Sequence, residues 1–176
     1  MPRLPSIEHR LTRAQGDKLA RFVCKELGLV IDKNVFICGS LRRECGYIGD
    51  IDLLAVNAKS SPDFVDSVKR AINKSEYVDY QRGDESEQIL RLHCDGLKID
   101  LYIAERDHVA PMLLFLTGSK FFNISMRLHA KRRGYKLTAY ALLKNDKIVK
   151  TATERDIFRK LGLSYRDPRY RCIWVK

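Results

Sequence analysis

The chain has 176 residues with 45% apolar and 31% charged side chains, a balance that fits one domain, or two small subdomains sharing a core, and excludes a disordered tail. Mean hydropathy is −0.31, no stretch nears the roughly 18 consecutive apolar residues of a membrane helix, and the opening MPRLPSIEHRLTRAQ lacks the apolar centre of a secretory signal. Thirty-three Lys and Arg against 22 Asp and Glu leave a net charge of +11, carried wholly by the last third, where residues 120–176 hold sixteen basic and four acidic side chains.

Ile7 to Leu29 reads as an amphipathic helix, with Leu11, Ala14, Leu19, Phe22, Val23 and Leu27 at helical spacing and Gly28 as its stop. Asn34 to Cys38 is a short β-branched and aromatic strand closed by Gly39-Ser40, after which Leu41 to Glu44 allows one helical turn. Asp50 to Val56 is a second strand, and Pro62 to Asn73 a helix with Phe64, Val65, Val68 and Ile72 on one side. Three strands follow, Tyr77 to Arg82, Gln88 to Cys94 and Leu97 to Ile103. The first two flank the polar turn GDESEQ, and Asp95-Gly96 joins the last two as a tight hairpin. His108 to Leu116 is a helix, broken by Thr117-Gly118-Ser119. Ser119 caps a further helix to Arg133, which Gly134 closes. Tyr135 to Leu143 reads as one alternating strand, Asn145-Asp146 as a turn, Lys147 to Lys150 as a return strand, and Thr153 to Leu161 as a capped helix. The tail, SYRDPRYRCIWVK, is irregular, and the composition break near 104–119 is the one candidate subdomain boundary.

The charge asymmetry favours a polyanionic partner, with a solubility device as the plainer alternative. The five cysteines (Cys24, Cys38, Cys45, Cys94 and Cys172) are odd in number and form no CxxC pair. They argue against a zinc site and a secreted disulfide scaffold and make reduced thiols in an intracellular protein the default, with Cys45–Cys94 or another pairing left open. His9, His93, His108 and His129 show no ligand spacing.

The strongest local signal is Gly39-Ser40 followed by Asp50-Ile51-Asp52. Alternation along a strand points Asp50 and Asp52 to one side. Two adjacent carboxylates repel unless a cation lies between them, and Mg²⁺ needs only one or two carboxylates besides phosphate oxygens and waters. Asp100, in the otherwise apolar KIDLYIA, is either a satisfied core acid or a third ligand; the upstream pair favours the ligand. Beside such a site Gly39 lets backbone approach a phosphate, and Arg42 and Arg43 offer charge-assisted contacts.

Gly39-Ser40 with Asp50-x-Asp52 resembles the signature of the nucleotidyltransferase superfamily, and GSLRRECGYIGDIDLL is similar to family X DNA polymerases of the polymerase beta type. Two further blocks, LTGSKFFNISMRLHAKRRGY and TERDIFRKLGLSYRDPRYR, resemble later segments of the same family in the same order. The resemblance implies an α/β (α+β) fold: a nucleotidyltransferase palm with a mixed β-sheet over 1–104, followed by a small C-terminal α/β subdomain binding nucleotide and DNA over 105–176.

It also implies roles. Asp50, Asp52 and Asp100 match the metal-binding and catalytic carboxylates, holding two Mg²⁺ ions that Mn²⁺ can replace. Gly39, Ser40, Arg43, Gly49, Phe115, Leu116, Gly118 and Asn123 match nucleotide contacts; Lys98, Arg127, Lys131, Arg132 and Arg133 match or extend a DNA-contacting set. The implied function is templated addition of deoxynucleotides to a DNA 3′-end, with short-gap repair as its setting. A template-independent terminal transferase and a non-catalytic nucleic-acid scaffold are the alternatives. Implied partners are gapped or primer–template DNA and deoxynucleoside triphosphates, with no membrane and a monomeric state, in a reducing intracellular compartment. The chain resembles minimal, virus-type members, and no helix-hairpin-helix motif or lyase domain is expected. Three departures from the family pattern stand out: Phe115-Leu116 where Tyr-Phe is usual, Lys120 where an acid is usual, and Tyr102 with Ala139 where an Arg–Glu pair is common.

Overall fold

The computed structural model describes residues 10–57, 61–86 and 89–172. Its first part comprises β1 (Leu11–Thr12), α1 (Arg13–Glu26), β2 (Val35–Ile37), α2 (Gly39–Arg42), β3 (Tyr47–Ile48), β4 (Asp50–Asn57), α3 (Pro62–Lys74), β5 (Asp79–Ser86), β6 (Ile89–Cys94) and β7 (Leu97–Glu105). After a short 3₁₀ turn, Arg106–His108, come α4 (Val109–Thr117), α5 (Lys120–Arg132), β8 (Tyr135–Leu137), β9 (Leu142–Lys144), β10 (Lys147–Val149) and α6 (Glu154–Lys160).

A five-stranded mixed sheet in the order β2-β4-β7-β6-β5 forms the first part, with β4 and β7 parallel and the other pairs antiparallel. The strand period of two divides each central strand between two faces. Ile51, Leu53 and Ala55 of β4 and Ile99, Leu101 and Ile103 of β7 pack with Val23 of α1 and Val68 and Ile72 of α3 in the main core. Full burial of such side chains is worth about 1.5–3 kcal/mol each. On the opposite face Leu54 and Ala104 meet Cys38 and Met112 of α4. Towards the other end of that face stand Asp50, which is exposed, Asp52, which is half-buried, and Asp100, which is buried. A second core joins Ala110 and Leu114 of α4 to Phe122 and Met126 of α5 and to Ile157 and Phe158 of α6, beside the small sheet β10-β9-β8. The fold is therefore mixed α/β, as the sequence implies.

Three expected elements differ. The first helix starts at Arg13, because Thr12 and Gln15 form a reciprocal capping box, and Leu11-Thr12 pair with Ile48-Tyr47 as a strand instead. Residues 7–9 of that expectation lie outside the described residues. GDESEQ does not form the expected turn over its first four residues: β5, an edge strand, continues to Ser86 through a register shift between Tyr80 and Glu85, and residues 87–88 lie outside the described residues. The alternating run Tyr135 to Leu143 is two strands, because the Thr138 hydroxyl accepts hydrogen bonds from the amides of Tyr140 and Ala141 and closes a turn between them. The Ser119 cap, the Gly134 stop and the Asp95-Gly96 hairpin occur where expected.

Candidate active site

The register of three strands builds the site. Along the parallel pair β4–β7, Asp50 stands opposite Lys98 and Asp52 opposite Asp100; along β6–β7, Arg91 stands opposite Asp100. Because Ile51 and Ile99 enter the core, the two aspartates of β4 and the Lys98 and Asp100 of β7 share the other face. Asp100 is buried. Its Oδ2 lies 3.0 Å from Lys98 Nζ, whereas Oδ1 is 4.0 Å from Arg91 Nε and has no hydrogen-bond partner. Burial, then the charges of Asp50 and Asp100, push the Asp52 carboxyl up to about 7 against the opposing pull of Arg43 and Lys98. Tyr102, next along that face, is pushed up to about 12 by burial and the same acids.

The Gly39–Arg42 helix leans on this row. Gly39 has a φ of +59°, and a Cβ there would lie 2.0 Å from Asp52 Oδ2, so only glycine lets the backbone pass the carboxylate. The Ser40 hydroxyl and Arg43 Nε are buried and unpartnered. With Asp100 Oδ1 they are three of the four such side-chain atoms among the described residues; the fourth is Arg171 Nη2. Unsatisfied buried polar atoms are costly, and the pair on Ser40 and Arg43, which line one cleft, points to a ligand that satisfies them.

Across from the row, α4 and α5 supply the second wall. A cleft of about 620 Å³ is lined by Gly39, Ser40, Arg43, Asp50 and Asp52 on one side and by Phe115, Leu116, Gly118, Asn123 and Arg127 on the other. Asn123 donates from Nδ2 to the Phe115 carbonyl at 2.7 Å, and the Arg127 guanidinium sits 5.3 Å over the Phe115 ring. Lys98 flanks the row beside Asp100. Gly49 is exposed just before β4, and Lys131, Arg132 and Arg133 are exposed at the far end of α5; none of these four lines the cleft. The Arg133 guanidinium lies against Gly162, where a Cβ would be 2.1 Å from Nη1.

Arg42 corrects the sequence reading, which offered it to phosphate beside Arg43. It is half-buried and turned away, donating to the Thr117 hydroxyl and, at 2.6 Å, to Glu154 Oε2. Glu154 Oε1 accepts from Arg171 Nη1 at 2.5 Å, and the Arg171 carbonyl accepts from the Ser119 hydroxyl at 2.9 Å. Arg171 is fully buried, so the basic tail does not offer it to solvent; its guanidinium lies 5.3–5.6 Å over the rings of Phe122, Tyr165 and Phe158. Arg43 donates from Nη1 to the Thr117 carbonyl. Sequence reasoning missed this connected set. Its one trace in the sequence is Glu154, in the capped first turn of α6.

Among the described residues, no three His, Cys, Asp or Glu side chains stand together as a ready metal site. Asp100 instead lies beside Lys98 Nζ at 3.0 Å and Arg91 Nε at 4.0 Å. The donor chemistry fits a divalent cation: three carboxylates on one sheet face, one with an orphaned buried oxygen and one pushed towards its neutral form, are what an oxygen-loving cation relieves.

The family model described as DNA polymerase beta thumb matches residues 112–172. A "Repair DNA polymerase X" of African swine fever virus (isolate Tick/Malawi) is 27% identical over 174 residues, covering 92% of this chain and 99% of that protein. The same-named protein of the Pig/Kenya isolate is 29% identical over 172 residues with the same coverage. "DNA polymerase lambda" of Rattus norvegicus is 32% identical over 157 residues, 74% of this chain but 27% of that longer protein. A mixed α/β sheet followed by a polymerase beta-type thumb defines a class of nucleic-acid enzymes. Within it, the chain belongs to family X of the DNA polymerases.

Proposed function

We propose that this protein extends the 3′-end of a DNA primer with deoxynucleotides, directed by a template, and fills short gaps during DNA repair. The observation that carries this reading is the alignment of Asp52 against Asp100 on parallel neighbours, with Asp50 and Asp52 lining a cleft whose other wall is the polymerase beta-type thumb. The chain divides on this reading into a palm over 1–104 and a DNA- and nucleotide-binding subdomain over 105–176.

Asp50, Asp52 and Asp100 would hold two Mg²⁺, or Mn²⁺ in its place. Such ions supply charge neutralisation for the attacking and leaving oxygens of phosphoryl transfer. The protein's own contribution is placement. Ser40 and Arg43 present a buried hydroxyl and a guanidinium with an open Nε to the triphosphate. Gly39, without a side chain, lets that loop lie against Asp52. Phe115, Leu116 and Gly118 form the floor for the incoming sugar, with Phe115 pinned between the Asn123 amide and Arg127. Asn123 and Arg127 then face the base pair, Lys98 the primer end, and Lys131, Arg132 and Arg133 the duplex phosphates, where sequence-independent charge contacts dominate affinity. The +12 charge of residues 120–176 supports that footprint. No helix of the described residues is long and apolar enough to cross a membrane. The viral relatives support a virus-encoded protein acting in the infected cell, and we read it as a monomer.

Primer extension on gapped, primer–template and single-stranded DNA tests the reading. Extension that needs both template and divalent cation is expected. Extension without template would instead make the protein a terminal transferase, and DNA binding without extension would make it a scaffold.

A further inference from the structure

Cys45 and Cys172 lie 127 positions apart in sequence, yet their Sγ atoms are 3.9 Å apart. They belong to different parts of the fold. Cys45 follows the Ser40–Arg43 loop, and Cys172 follows the buried Arg171 that carries Ser119. Cys172 is exposed and Cys45 partly so, whereas Cys24, Cys38 and Cys94 are buried. The sequence left Cys45–Cys94 open; the fold turns Cys45 to Cys172 instead. A disulfide needs its sulfurs about 2 Å apart, a closure within reach of side-chain rotation and small loop movement.

We propose that Cys45 and Cys172 form a reversible disulfide that clamps the triphosphate-side loop to the C-terminal tail and slows nucleotide incorporation. The oxidant is a small disulfide of the glutathione class. The exposed Cys172, as thiolate, attacks one sulfur of the oxidant, forming a mixed disulfide and expelling one glutathione thiolate. Cys45, as thiolate, then attacks the Cys172 sulfur and expels the second. Two protein thiols lose two electrons, the oxidant is reduced to two thiols, and the two protons end there. Burial and the neighbouring Cys172 hold the Cys45 thiol up, with Arg43 opposing, which suits it to the second, intramolecular step.

The consequence follows from Arg43. Its guanidinium donates from Nη1 to the Thr117 carbonyl while Nε is unpartnered, so bringing it onto a phosphate needs the loop that carries it to adjust. Arg13 holds the same loop through Glu44 at 2.9 Å and through the Gly46 carbonyl. A covalent tie two residues after Arg43 adds a restraint that a hydrogen bond cannot match. The slowing rests on the functional reading above; the crosslink does not.

The full chain is treated with oxidised glutathione, alkylated, digested and analysed by mass spectrometry, with Cys45→Ser and Cys172→Ser in parallel. A Cys45–Cys172 linked peptide lighter by two hydrogens is expected in the parent alone. It should be accompanied by a melting temperature raised by about 5 °C or more. Incorporation should fall about tenfold, the worth of one charge-assisted contact, and return with dithiothreitol, while Cys172→Ser ignores the oxidant. Glutathione on Cys172 without the linked peptide, or the linked form incorporating at full rate, overturns the proposal. Should the reduced chain extend no primer, the functional reading fails, and the linked peptide with its melting shift still decides the clamp.

Discussion

Replacing Glu154 by Gln tests the connection between the two cores. Glu154 is buried and accepts from Arg42 at 2.6 Å and from the fully buried Arg171 at 2.5 Å. Gln keeps the shape but removes the charge, and its amide group presents a donor to one of two guanidiniums. Burial by itself raises the Glu154 pKa, yet the hydrogen bonds and charges of Arg42 and Arg171 outweigh it and hold the group below its ordinary 4.5. Breaking one partner of a buried ion pair costs about 3–5 kcal/mol, because the remaining charge stays buried and unpaired. For a chain of this length each kcal/mol moves the melting temperature by about 2–4 °C, so Glu154→Gln should melt roughly 10 °C lower. The sign of the pH effect is fixed. A carboxylate with a depressed folded pKa stabilises above its unfolded value and loses that contribution as pH falls through the folded one. The parent should therefore lose stability on acidification below about pH 4.5, and the variant should lack that component. Urea unfolding at neutral and acid pH measures both. A loss under about 1 kcal/mol, or identical acid limbs for the two proteins, would refute the network as a support of the fold.

Asp100→Ala should abolish primer extension while leaving folding and DNA binding in place, since a metal contact at the reacting oxygens is worth several kcal/mol in the transition state; extension within tenfold of the parent would make Asp100 a core acid only. Neutralising Lys131, Arg132 and Arg133 together should flatten the salt dependence of DNA affinity by about one unit per lost phosphate contact, with an unchanged slope placing the footprint elsewhere. Leu116, which lines the cleft and packs beside Met112, should set sugar selection: Leu116→Phe is expected to raise the deoxy-over-ribo ratio of kcat/KM by about tenfold or more. An unmoved ratio would mean that this segment does not touch the sugar.

What was legible follows from what each residue needs locally. Asp50, Asp52 and Asp100 could be read because alternation within a strand fixes a face from sequence alone, and an acid among Ile99 and Leu101 demands an explanation. The hairpin at Asp95-Gly96 and the caps at Ser119 and Thr153 could be read because a turn or a cap is closed by neighbours within a few residues. The start of α1 was misread because the apolar spacing runs on past the capping box, and because the partner of Leu11, Ile48, lies far along the chain. The same reason hid Arg91 as a neighbour of Asp100, whereas Lys98, two residues before Asp100 on β7, shares its face by the strand period alone: which strands are neighbours is decided by the whole sheet, not by any one segment.

The adjacent arginines show how that distinction reaches function. Arg42 and Arg43 are chemically identical and follow one another at the end of a four-residue helix, where each residue turns the side chain by about 100° from the last. That rotation sends one towards Glu154, Thr117 and the thumb core, and leaves the other on Thr117's carbonyl at the mouth of the cleft. Both converge on one residue, Thr117, immediately before Gly118 and Ser119, the turn that α5 starts from. A phosphate that draws Arg43 away removes one of the two arginine ties on Thr117, while Arg42, held by Glu154, keeps the other. The loop that we assign to the triphosphate is thus free to respond on one side and anchored on the other, and a change at Arg42 should act on stability and thumb placement where a change at Arg43 should act on nucleotide affinity.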